Sequence, residues 1–268
     1  MEKIAVIVVV ALVAGGALYL FGRTVPYRQR LIRSAAATVA GALAAAGAVY
    51  GLEALTGDDT QVDNAMTEAR TLPLVGLVLA DVPDAETRLR ASLREELRNP
   101  TTQGAPRPLV LMSELRATHI VPALRATDAA DAEGVLAARI ALMRHLSGTN
   151  VAACRELALV GIQHADRLDP QGQQLMRSML TAMEKAYRTG RAAMKTGSAA
   201  QPPVPNDTEA RGLLVEAGLT PADFEKLQNL AKLSGEEACE LGIRLNATPS
   251  KLPADRAGGL ARYLAAAQ

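Results

Sequence analysis

The side chains with the sharpest chemistry in this 268-residue sequence are two cysteines and three histidines. In an oxidising compartment, a bridge between Cys154 and Cys239 would close a loop of roughly 85 residues. The chain-entropy model values that closure at about 4–5 kcal/mol. The other reading is two separate buried thiols, because cysteine packs as a small hydrophobe. Two cysteines are too few for a disulfide-dense scaffold or a four-thiolate zinc site. His119, His145 and His164 show no His-x-x-x-His or Glu-x-x-His spacing, so the helical metal-site geometry is missing. His164 and Asp166 fall on different faces of a helix, and each histidine reads as an ordinary polar or half-buried residue.

Enzyme signatures are absent from the sequence. There is no Walker loop, no GxGxxG after a strand and no GxSxG elbow. Gly258 and Gly259 lie inside a helix-like run, and Glu95 with Glu96 read as a solvated helix face. No catalytic residue, metal ligand or cofactor is therefore nominated. Catalysis is not thereby excluded, because sites are assembled in space.

Met176, Met179 and Met183 recur at helical spacing with Leu180 and Tyr187. Adaptable methionine surfaces can bind partner helices, although a core stripe is the commoner use of such a pattern. Residues 227–246 loosely resemble a helix-turn-helix. Glu236, Glu237 and Glu240 would face phosphates with the wrong sign, which argues against DNA.

The elements that must position these residues read as all-α. Strand alternation is scarce, and no Asn-Gly or Asp-Gly hairpin signal occurs. Helices are expected at about 84–98, 107–126, 128–146, 150–167, 170–195, 207–217, 221–232, 235–245 and 254–266. Pro122 should kink or split the second of these. Asp84 and Asp169 read as helix starts. Asn206 with Glu209, Thr220 with Asp223 and Ser234 with Glu237 read as capping boxes. The short run 72–80, LPLVGLVLA, is too short to span and, interrupted by Pro73 and Gly76, reads as a buried turn of helix rather than a membrane-resting segment.

The apolar residues are unevenly distributed. Residues 4–21 and 34–52 are uncharged, the second rich in Ala and Gly. Both read as transmembrane helices, the first against a cleaved signal peptide, the second against a buried helix. The loop between them carries Arg23, Arg28, Arg30 and Arg33 and no acid, which puts it in the cytoplasm and both chain ends on the outer face. Ala11 with Gly15, and Gly47 with Gly51, form small-xxx-small pairs suited to close helix packing in lipid or to self-association.

Beyond residue 57 the chain carries 24 basic and 26 acidic side chains, so nucleic acid is not an expected partner. Arg outnumbers Lys 23 to 6, a bias that fits a GC-rich bacterial genome. The Pro/Ser/Gly-rich stretch 196–206 reads as a linker between a helical domain, 58–195, and a small C-terminal bundle, 207–268. The expected protein is a multi-pass inner-membrane protein, all-α, with a two-helix transmembrane hairpin and helical bundles held in the periplasm. Its expected partners are membrane lipid and either another protein or a second copy of itself. Scaffold, accessory subunit and envelope adaptor are the leading roles. A membrane-tethered enzyme acting on lipid or cell-wall substrates, and a cytoplasmic membrane-anchored regulator, are the rivals.

Overall fold

A computed structural model describes residues 58–159, 161–162, 167–198 and 203–267. Every regular element among them is helical. The chain divides into two compact units after His119.

In the first unit, α1 (Asp58–Thr71), α2 (Pro73–Asp81), α3 (Ala85–Arg98) and α4 (Arg107–Leu115) pack in chain order. Helix α1 is absent from the sequence-based expectations. Its composition is polar, but Val62, Met66 and Ala69 recur at spacings of four and three, and all three are buried. Helix α2 is the short apolar run, with Leu74, Val75, Val78 and Leu79 in the core. Ion pairs link α1 to α3: Arg70 to Glu86, Arg90 to Asp63, and Arg94 to Asp59. These exposed pairs set register more than stability. Asp84 precedes α3 as expected but makes no side-chain cap bond; its backbone is left-handed, with φ 65°.

A π-helical turn, Arg116–Ile120, carries the chain from the first unit into α5 (Val121–Ala126) of the second. Pro122 stands in the first turn of α5. It has no N–H to give and its ring crowds the preceding turn, so the regular pattern widens just before it.

The second unit continues with α6 (Ala129–Thr149), α7 (Val151–Leu159), α8 (Pro170–Thr196), α9 (Asp207–Glu216), α10 (Pro221–Gln228), α11 (Gly235–Asn246) and α12 (Ala254–Ala266). Asp128 and Asp169 cap α6 and α8, and full capping boxes open α9, α10 and α11. The centre of the unit is α12, in which every residue from Ala257 to Ala266 is buried. A helix buried all round, here with Arg262 among its buried side chains, needs neighbours on every side, and α12 packs on α5, α6 and α9.

That packing corrects the expected domain boundary. Helix α8 stops at Gly197, whose left-handed backbone (φ 68°) closes its last turn, and the Pro-rich stretch that follows separates no domains. Helices α8, α11 and α12, from both sides of the stretch, share α6 as a common support. The Pro203 carbonyl lies so close to Gly259 that the missing side chain is what admits it, and Pro205 packs beside it. A left-handed glycine ends a helix for local reasons, whereas a domain boundary requires that few contacts cross it.

Candidate functional site

The two cysteines meet in the core of the second unit. Cys154 lies in α7 and Cys239 in α11, and their sulfurs are joined in a disulfide with Cα atoms 5.4 Å apart. Both residues are buried among Leu142, Met143, Leu146, Leu157 and Met179. Burial of each large aliphatic side chain there contributes about 1.5–3 kcal/mol. Two arginines complete the seam. The Arg139 guanidinium of α6 donates to the Leu157 carbonyl at 2.5 Å, near the C-terminal end of α7, where carbonyls lack helical partners. Burial pushes its pKa down to about 10. Arg155 donates to the Ala231 carbonyl at 2.8 Å and so ties α7 to the turn before α11. This seam is held by covalent, apolar and polar contacts together.

A second constellation joins α6 to the start of α8. The Nε2–H of His145 donates to both carboxylate oxygens of Asp169, at 2.8 and 3.0 Å. Asp169 also accepts the Gly172 amide at 2.7 Å as the cap of α8. The His145 hydrogen bond, with the Gly172 amide, holds the Asp169 carboxyl below its usual range. The third constellation is Asp131 of α6, whose side chain is 4% exposed. It accepts from Lys185 at 2.6 Å and from the Thr189 hydroxyl at 2.7 Å, both on α8. Burial works against its charge, but Lys185 and Thr189 outweigh that, and its pKa is lowered. Sequence reasoning missed both clusters. Their members stand 24 to 58 positions apart, beyond any local spacing rule.

The methionine stripe is corrected as a partner surface. Met179 is buried in the core, Met176 packs against it, and Met183 is half-buried. Helix α8 turns this stripe inward because its opposite face is charged. His119 is half-buried, and His164 lies outside the described residues. Among the described residues, no group of three or more His, Cys, Asp or Glu side chains could hold a metal ion.

The first unit carries an open groove between α3 and α4, with a volume of about 430 Å³. Ala91, Val110 and Leu111 form its apolar part, and Arg88, Arg107 and Glu114 its charged part. Arg88 is bound by both carboxylate oxygens of Glu114 at 2.8 Å, and Val110 is 56% exposed. A surface of this kind suits a partner side chain better than a reaction needing exclusion of water.

The membrane residues expected from sequence lie outside the described residues: Arg23, Arg28, Arg30 and Arg33 in the loop, and Ala11, Gly15, Gly47 and Gly51 in the spans. Among the described residues no helix is long and apolar enough to cross a membrane. Comparison with protein-family models, with curated proteins and with solved structures found no match for this chain.

Proposed function

We propose that this chain is a bacterial inner-membrane protein whose N-terminal two-helix hairpin holds residues 58–268 on the outer face of the membrane. There its helical units serve as an interaction module: a scaffold, accessory subunit or envelope adaptor. The Cys154–Cys239 disulfide is the observation that carries this reading. Such bridges persist in oxidising compartments and are rare where glutathione and thioredoxin keep thiols reduced. The four arginines between the two uncharged segments argue independently for the same topology, because cytoplasmic loops collect positive charge. The exposed Val110 and the groove beside it provide a surface for a protein partner. The Gly47–Gly51 spacing would let hairpins associate within lipid.

Topology tests this directly. Alkaline phosphatase fused to the C-terminus should be active, while a fluorescent protein that matures only in the cytosol should stay dark. Alkylation of the unreduced protein should leave both cysteines unmodified. Cytosolic fluorescence together with two alkylated thiols would overturn the proposal.

A further inference from the structure

Helix α8 is sharply two-sided. Met179, Ala186 and Gly190 face the core. On the opposite side, Arg177, Arg188, Arg191 and Lys195 fall within about 40° of a single line along the helix. Arg177, Arg188 and Lys195 are exposed; Arg191, half-buried on the same line, is already engaged within the fold and is not needed for the row. The row spans roughly 27 Å at 1.5 Å per residue. Glu184, the one acid on the helix against five basic side chains, falls on the same line between Arg177 and Arg188, so the row carries four cations and one carboxylate. Lys185 is occupied by Asp131. The asymmetry stands against a background in which residues 58–268 are slightly acidic overall.

We infer that this row is a docking surface for the anionic phospholipid headgroups of the bilayer that anchors the chain. The inference rests on the membrane anchor proposed above. The cations lie along a straight helix. Arg177 and Arg188 are eleven residues, or about 16 Å, apart, so no single small anion can reach the whole row. An extended planar array of negative charge can. The apolar face of α8 is already used in the core, so attachment here is electrostatic and sensitive to salt. The row presents no aromatic side chain on which bases could stack, which disfavours single-stranded nucleic acid. Tethering to the same membrane keeps the local lipid concentration high, so a weak attraction per charge suffices.

The protein has no tryptophan, which makes a single reporter clean. The full chain carrying Ala192→Trp, at an exposed position beside the row, is placed in nanodiscs of phosphatidylcholine with and without phosphatidylglycerol. Headgroup-spin-labelled lipid then quenches the emission. Strong quenching is expected only with the anionic lipid, and about 0.5 M salt should abolish it. Arg177→Gln, Arg188→Gln and Lys195→Gln together should also abolish it. Arg144→Gln, Lys232→Gln and Lys251→Gln, which remove the same charge elsewhere, should not. Circular dichroism and an intact disulfide establish that both triple variants fold. Equal quenching in both discs, equal loss in both triple variants, or protection of the reporter by an added oligonucleotide but not by lipid, would each overturn the inference. A chain that fails to enter phosphatidylcholine discs would overturn the anchor instead. Anionic vesicles added to that chain would still decide the row.

Discussion

Gly190 of α8 backs directly onto the Ala123 carbonyl of α5. A β-carbon at position 190 would overlap that carbonyl, and backbone cannot swing aside as a flexible side chain can. Helix α8 therefore crosses α5 at a point where only glycine permits the approach. In an exposed helix interior, Gly→Ala stabilises by up to about 1 kcal/mol. At position 190 the same change should destabilise, by about 1–3 kcal/mol, because it forces overpacking. Gly134 of α6 is the control: it is exposed, and nothing lies where its β-carbon would go. Urea unfolding of Gly190→Ala and Gly134→Ala should move the midpoint in opposite directions. A shift of the same sign in both would refute the close crossing.

The Cys154–Cys239 bridge spans 85 positions of sequence. Cross-linking so long a segment restricts the unfolded chain, and the entropic model places the effect at about 4–5 kcal/mol. Reduction, or the double change Cys154→Ala with Cys239→Ala, should lower the unfolding midpoint substantially. It should also raise the denaturant slope, because the unlinked chain exposes more surface. An unchanged midpoint in reductant, with both thiols shown to be free, would mean that the seam is held by packing alone.

Stability should fall on the acid side through named carboxylates. Asp131, Asp169 and Asp223 all have pKa values lowered in the folded state. For a depressed carboxylate, the stabilising effect is complete above the unfolded value, near pH 4, and is lost as pH falls through the folded value. As pH falls below about 5 the folded protein must therefore progressively lose urea resistance. Asp131→Asn keeps the shape beside Thr189 but removes the titrating charge. Its midpoint should be lower than the parent's at neutral pH and should change less on acidification. Parallel pH profiles for parent and variant would exclude Asp131 as a contributor.

The caps offer a graded test of local structure. Ser234 opens α11 through a capping box in which its hydroxyl takes the Glu237 amide and the Glu237 carboxylate takes the Ser234 amide. Ser234→Ala should cost about 1 kcal/mol. Asp84 makes no such bond, and asparagine tolerates its left-handed backbone, so Asp84→Asn should stay within about 0.5 kcal/mol of the parent. Thermal melts of the two variants separate a working cap from a residue that only precedes a helix.

Much of the helical framework was legible because its signals are local. Asp169 before Pro170, and the three capping boxes, act within one turn, so the residues that start α8, α9, α10 and α11 could be named from neighbours alone. Pro122 acts the same way, through a missing N–H and a ring clash. The expected helix at 150–167 failed at its far end: α7 stops at Leu159, and Gly161 follows with φ 90°. Helix α1 escaped notice because its polar residues lower its average hydropathy, although Val62, Met66 and Ala69 carry the period.

By itself the sequence determined the all-helical class and most helix starts, because capping and periodicity are written within a few residues of where they act. It also supplied the charge pattern on which the membrane orientation is proposed. Only the tertiary structure decided that Cys154 meets Cys239, that His145 meets Asp169, and that the Pro-rich stretch lies within one compact unit. It decided as well that the methionine face of α8 turns inward and the arginine face outward. Those outcomes depend on which apolar faces bury each other across 24 to 85 positions of chain. Many pairings satisfy local propensity equally well, and close packing selects among them only when the whole chain is assembled.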